Sequence, residues 1–192
     1  MDKKEKLEQL EKLAKNCKAC PLWRKRKNVV FGEGNISSKI MIIGLGPGKE
    51  EDKQGRPFVG KAGKFLNDLL SYAGLKREEI YITNIVKCIP PNNMPTKEEI
   101  KTCTSLFLDK QIEIINPKII LCLGNIAKDY IFEKFGIENK PMNKVHGKVF
   151  RVKGKIIIPL HHPATALYRP DKKDILIQDW KNLKSQLMWW LK

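Results

Sequence analysis

Hydrophobic residues along this chain fall into two rhythms. Four short runs are almost wholly aliphatic: Ile40–Gly44 (IMIIG), Tyr81–Val86 (YITNIV), Ile119–Leu123 (IILCL) and Ile156–Pro159 (IIIP). Each is bracketed by Gly, Pro or Asn, and runs that do not alternate with polar residues suit strands covered on both faces. Around them the apolar positions recur every three or four residues. Leu7, Leu10 and Leu13 mark a short amphipathic helix over Lys3–Asn16. Further helices are expected over Ala62–Tyr72, Thr96–Ile115 and Asn125–Phe135, with Pro95 and Thr96 ahead of Glu98 and Glu99 as a start signal. Leu176, Trp180, Leu183, Leu187 and Trp190 predict a last helix with one buried face. Strand and helix alternate, so the expected fold is α/β: a three-layer α/β/α sandwich around a central, mainly parallel four-stranded sheet. Asn143–Gly154 reads as a loop or a short extra hairpin.

In such sheets ligands bind beyond the carboxyl ends of the strands. The first run exits into Gly44-Leu45-Gly46-Pro47-Gly48, the second ends near Asn84, the third exits into Gly124-Asn125 and the fourth into His161-His162-Pro163. Small, flexible and polar groups from distant parts of the chain are therefore expected on one rim.

Composition narrows the partners. The 192 residues suit a single domain, 1–192, with its own core. With 37 Lys+Arg against 21 Asp+Glu the formal charge is +16, which suits a polyanion such as DNA, although a lysine-rich surface of thermophilic origin gives the same excess. No run approaches the ~20 apolar residues of a membrane span, and the charged start MDKKEKLEQLEKLAKN is no signal peptide, so a cytoplasmic location is expected. Five cysteines in that setting argue against a disulfide framework and for metal. Cys17 and Cys20 form a CxxC pair, and Cys88 and Cys103 lie far downstream. Four thiolates fit Zn²⁺ or an iron–sulfur cluster equally well. Cys122 sits inside IILCL and reads as an inert core residue.

The rim residues carry the candidate chemistry. The Gly44–Gly48 turn lets main-chain N–H groups approach a ligand, but it lacks the spacing of a P-loop or a dinucleotide fingerprint. Phe58, within GRPFVGKAG, either plugs the core or stacks on a base. Asn84 interrupts a β-branched run; its amide matches the N3–H and O4 of uracil and mismatches cytosine, unless it only ties down a strand end. His161 and His162 precede Pro163, which holds them extended, so only one is expected to face the rim. The basic run Trp23-Arg24-Lys25-Arg26-Lys27 reads equally as a phosphate contact or a solvated face.

Taken together, GLGPGKEEDKQGRPFVGKAG (Gly44–Gly63), YITNIVKCIPPNNMP (Tyr81–Pro95), Cys103, LGN (Leu123–Asn125) and HHPATALYRP (His161–Pro170) resemble the thermostable family 4 uracil-DNA glycosylases over nearly the whole chain. The resemblance implies hydrolysis of the N-glycosidic bond of uracil in DNA; no lysine stands out in the sequence as a desolvated Schiff-base nucleophile, so a monomer acting without lyase chemistry is expected. It implies a [4Fe–4S] cluster, in preference to zinc, held by Cys17, Cys20, Cys88 and Cys103. Uracil contacts fall to Leu45, Gly46, Pro47, Phe58, Asn84 and His162; His162, directly before Pro163, is the motif histidine that would stabilise charge on the uracil O2. Leu167, Tyr168 and Arg169 would enter the minor groove and contact phosphate.

One position departs from the pattern. Leu45 stands where the family commonly has Glu, a carboxylate suited to positioning the attacking water, and it matches the Gly-Leu opening of family 5. Glu50, Glu51 or Asp52 are candidate substitutes. The alternative reading is an iron–sulfur DNA-binding protein of the same fold with weak glycosylase activity, or activity toward other deaminated bases.

Overall fold

In the computed structural model, which describes Met1–Lys192, the chain runs through α1 (Lys3–Lys15), β1 (Glu33–Gly34), β2 (Ile40–Gly44), α2 (Lys49–Gln54), α3 (Lys61–Tyr72), β3 (Tyr81–Asn84), α4 (Lys97–Cys103), α5 (Asp109–Ile115), β4 (Ile119–Leu123), α6 (Asn125–Phe135), α7 (Met142–Val145), β5 (Phe150–Val152), β6 (Lys155–Leu160), α8 (Thr165–Tyr168) and α9 (Lys173–Trp190). The four aliphatic runs are β2, β3, β4 and β6, and they pair in parallel as β3-β2-β4-β6. The sheet has six strands rather than four, because β1 and β5 add antiparallel edges in the order β1-β3-β2-β4-β6-β5. At two and three residues these edges are too short to leave a periodic signal. The stretch Asn143–Gly154, expected as a loop or a short hairpin, begins in α7 and runs into β5, which pairs with β6 through a turn at Lys153 and Gly154, both at positive φ.

Successive strand residues feed opposite cores. Met41, Ile43, Ile120 and Ile157 pack with Leu7, Leu10, Ile112 and Phe132 from α1, α5 and α6. Ile40, Ile42, Leu121 and Ile158 pack with Leu66 and Leu70 of α3 and with Leu176, Trp180, Leu183 and Leu187 of α9. Each such buried side chain contributes about 1.5–3 kcal/mol of transfer free energy, so both helical layers are held by the sheet they cover. The stripe of α1 differs from the expected one: Leu13 is exposed, and Ala14 takes the buried place one turn beyond Leu10. The helix expected over Thr96–Ile115 is α4 and α5 joined by a π-helical stretch, Thr104–Leu108.

The chain visits β3 on one side of β2 and β4 on the other. This reversal of direction opens a crevice at the carboxyl end of β2, where the glycine turn lies.

Candidate active site

A pocket of about 360 Å³ occupies that crevice, within the usual range for small-molecule sites. Its wall combines Leu45, Gly46 and Gly48 of the turn after β2 with Phe58, Asn84 at the end of β3, and His162 beyond β6. Pro47, between Gly46 and Gly48 in the turn, is buried and is not part of the wall. Gly44 is required by contact, since a Cβ there would meet the Asn84 Oδ1 and the Phe58 ring at 2.6 Å each.

Phe58 is held in an unfavourable backbone conformation, φ 48°, which a bulky side chain adopts only when its surroundings enforce it. Two side chains do so. The Glu51 carboxylate accepts from the main-chain N–H of Gly48 at 3.1 Å, Val59 at 2.8 Å and Gly60 at 2.7 Å, stapling the loop to the glycine turn. Arg77 donates to the main-chain oxygens of Phe58, at 2.8 Å, and Pro57. Gly63 of α3 packs so closely that a Cβ would lie 2.0 Å from the Phe58 carbonyl, so the ring has one place to go.

Asn84 is 2% exposed, and its Oδ1 has no hydrogen-bond partner. An orphaned buried acceptor costs about 1–3 kcal/mol, and its amide is not tying down the strand end.

The two histidines diverge, as extended neighbours must. His161 packs its ring 4.9 Å from that of His146, whose Nδ1 lies 2.7 Å from Asp179 Oδ2 on α9. His162 faces the pocket, 5.6 Å from the Phe58 ring at 29°. Glycine at 124 leaves room beside it, since a Cβ there would lie 3.2 Å from the His162 Cβ. The Ala164 N–H donates to His162 Nδ1 at 3.0 Å, so Nδ1 is the acceptor and the neutral ring carries its proton on Nε2. Desolvation pulls His162 down to about 4, against the opposing influence of the Glu51 carboxylate. Near neutral pH the ring is thus an uncharged donor. Desolvation, with His146 and Lys172 adding to it, likewise lowers His161 to about 4.

Of the candidate substitutes for Leu45, only Glu51 reaches the pocket wall. Glu51 is engaged as described, and Asp52 is buried and accepts from the main-chain N–H of Lys27 and Asn28 at 2.9 and 3.2 Å. Glu50 is exposed beside Lys53. At the mouth, α8 presents Tyr168, 75% exposed, to the pocket, while Leu167 projects into solvent outside it. Arg169 is exposed and pairs with Asp171 at 3.1 and 3.0 Å.

Cys17, Cys20, Cys88 and Cys103 line a second, mostly apolar cavity with Leu22, Trp23 and Phe107. They arrive from the end of α1, the loop after it, the loop after β3 and the end of α4. The π-helical stretch begins at the next residue, where the Thr104 hydroxyl donates to the main-chain oxygens of Ile100 and Lys101 at 2.7 and 3.2 Å. Burial pushes the Cys20, Cys88 and Cys103 thiols up, Cys103 to about 11. Donors nonetheless point at sulfur: Ala19 N–H to Cys17 Sγ and Arg26 Nη1 to Cys88 Sγ, both at 3.5 Å. Arg26 therefore leaves the basic run and folds onto this corner, also donating to Cys17 O at 2.6 Å. Cys122 is buried in β4, away from the cavity.

Two residues went unnoticed in the sequence. Asn93 lines the pocket, and with Asn92 it forms a consecutive pair at positive φ, of which the doublet after Pro90-Pro91 was the available signal. Lys87 is 1% exposed and had no signal, since a lysine beside a cysteine reads as surface.

The profile of the Uracil DNA glycosylase superfamily matches residues 31–184. A type-4 uracil-DNA glycosylase of Sulfurisphaera tokodaii is 47% identical over 172 residues, covering 87% of this chain and 78% of the relative. One of Thermotoga maritima is 45% identical over 171 residues, covering 87% of each. A type-5 uracil-DNA glycosylase of Thermus thermophilus is 31% identical over 149 residues, covering 70% of this chain and 66% of the relative. The matched region runs through all three strand ends that build the pocket, and identity to the type-4 enzymes exceeds that to the type-5 enzyme: this chain belongs to the uracil-DNA glycosylase superfamily, on its type-4 branch.

Proposed function

We propose that this protein takes a uracil flipped out of DNA into the pocket and hydrolyses its bond to deoxyribose, releasing free uracil and leaving an abasic site, the opening step of base excision repair. The observation that carries this reading is the orphaned Asn84 Oδ1, buried beside an aromatic ring and a neutral histidine donor. Uracil N3–H satisfies that oxygen while the amide nitrogen donates to O4. Cytosine would set acceptor against acceptor, at a cost of about 1–3 kcal/mol.

Phe58 offers a face worth about 1–3 kcal/mol in stacking. A base sandwiched between two rings needs a separation near ~7 Å, twice a van der Waals contact, and Phe58 and His162 stand 5.6 Å apart. The base therefore lies on Phe58 with His162 at its edge. As the bond to the sugar breaks, its electron pair moves onto the base, chiefly to O2, where the His162 Nε2–H stabilises it. Water supplies hydroxide to the sugar carbon and a proton to the departing uracil. Leu45 cannot orient that water, and the polar groups at the wall that can hold it are Glu51, whose Oε1 accepts a single main-chain N–H, and the Asn93 amide.

Leu167 and Tyr168 suit the space vacated by the base, and Arg169 can exchange Asp171 for phosphate. The pocket is complete within one chain, which suits a monomer acting on DNA in the cytoplasm. The four cysteines would hold a [4Fe–4S] cluster, which supplies a covalent cross-link among α1, the loop after β3 and α4. The four thiols share one cavity, as a four-thiolate cluster requires.

The test is a labelled duplex with one uracil, treated with alkali after incubation. Wild type should give strand cleavage, and His162→Ala should slow it by about 10²–10³, the usual cost of removing one oxyanion donor. Intact DNA with wild type would defeat the reading. Leu45, in place of a carboxylate, favours a second one, in which the protein binds uracil sites and turns over slowly; Leu45→Glu would then raise the rate.

A further inference from the structure

The chain has three histidines, and the fold gathers them at the end of β6. His161 and His162 follow that strand directly, whereas His146 arrives from the loop after α7 and sets its ring 4.9 Å from that of His161, at 39°. Only His162 enters the pocket. Ahead of it the chain is closed by a tight turn, in which the Ala164 N–H donates to its Nδ1 and the Thr165 N–H donates to its main-chain oxygen at 2.9 Å. Behind it lies His161, and the support there comes from other parts of the chain.

Asp179 sits on α9 beside the fully buried Trp180, so its carboxylate stands on a helix seated in the core. Its Oδ2 accepts from His146 Nδ1 at 2.7 Å; a carboxylate only accepts, so Nδ1 carries the proton. Its Oδ1 presses on the next residue: a Cβ on Gly147 would lie 2.8 Å from that oxygen, and Gly147 has φ 74°, which glycine adopts without strain. The Gly147 N–H in turn donates to Pro159 O at 2.8 Å, two residues ahead of His161. His146 is thus fixed by α9 on one side and by β6 on the other, with its ring turned to His161.

We propose that His146 is a positioning residue for the chemical step: held by Asp179, its ring braces His161 and so sets where the His162 Nε2–H meets the uracil O2. This rests on the glycosylase reading above. The placement matters because a misplacement of about 1 Å at a reacting group can cost about 10²-fold in rate. Base binding does not share this support, since Asn84 and Phe58 are held from β3 and from the loop before α3.

The experiment measures single-turnover uracil release, inhibition by free uracil and melting temperature for His146→Ala and His146→Phe, each made in the wild-type protein and in His162→Ala. In the wild-type background His146→Ala should slow release by about 10- to 10²-fold and leave uracil inhibition within about twofold, because the groups that bind the base are untouched. In the His162→Ala background the same change should slow release by no more than about twofold, since the donor it positions is gone. His146→Phe, which keeps a ring against His161 and loses the bond to Asp179, should fall between His146→Ala and wild type. A role in folding alone would lower the melting temperature and slow release by the same factor in both backgrounds, or leave release unchanged; either result overturns the proposal. Where His146→Ala does not fold, His146→Phe decides on the same criterion. Failure of the glycosylase reading itself would show in wild type instead, as no uracil released.

Discussion

The pocket and the cysteine corner solve opposite problems. In the pocket the chain itself enforces the geometry: Glu51 and Arg77 hold Phe58 at a costly φ, and glycines at 44 and 63 leave the ring and the Asn84 amide no alternative place. What the pocket lacks is a partner for the Asn84 oxygen. In the cysteine corner four thiols meet from separate segments; burial raises those of Cys20, Cys88 and Cys103, and donors from Ala19 and Arg26 face sulfur. The pocket is organised before its ligand arrives, whereas the corner brings thiols together with donors and would depend on the cluster proposed for it. Damage to the first should cost chemistry, and damage to the second should cost the fold.

The largest effect expected is at the corner. Cys103→Ser should lose iron and lower the melting temperature by roughly 10–20 °C, since losing a metal costs more than about 4–5 kcal/mol and each kcal/mol moves a domain of this size by about 2–4 °C. Unchanged melting in a calorimeter would dissolve the contrast. His162→Ala should do the reverse, slowing uracil release by about 10²–10³ while melting moves by no more than a few degrees. Asn84→Ala comes next: losing the base-edge contacts, about 1–3 kcal/mol, should raise KM by roughly 5- to 150-fold in steady-state assays on single-uracil duplexes. A KM equal to wild type would remove Asn84 from recognition.

The smallest effect is with pH. His161 and His162 titrate near 4 in the folded protein and near ~6.5 when unfolded, so between those values the unfolded chain binds more protons. Their contribution to stability is flat above ~6.5 and falls as pH drops toward 4. Asp179, which burial raises above its usual value, opposes this toward the acid end. Urea midpoints at pH 7 and pH 5 should differ in wild type and converge in His161→Gln/His162→Gln; equal slopes in both proteins would refute the assignment.

The central strands were legible because a parallel sheet buries both faces and demands uninterrupted aliphatic runs, as IMIIG and IILCL provide. The edges β1 and β5 were not, since two or three residues carry no period. Cysteine spacing and the strand-end position of Asn84 marked candidate residues without any contact being known. Leu13 was misplaced because a leucine at helical spacing still needs a surface to cover it.

Sequence alone therefore determined the sheet, the two helical layers and the residues from which a site could be assembled, because hydrophobic periodicity and backbone freedom are local properties. Tertiary structure decided which groups were already spoken for. Glu51 gives one oxygen to Val59 and Gly60, His162 receives its tautomer from the Ala164 N–H, and His146 is held by Asp179. Each outcome depends on donors, acceptors and charges competing for one another in a desolvated space, and that competition exists only once the chain has brought them together.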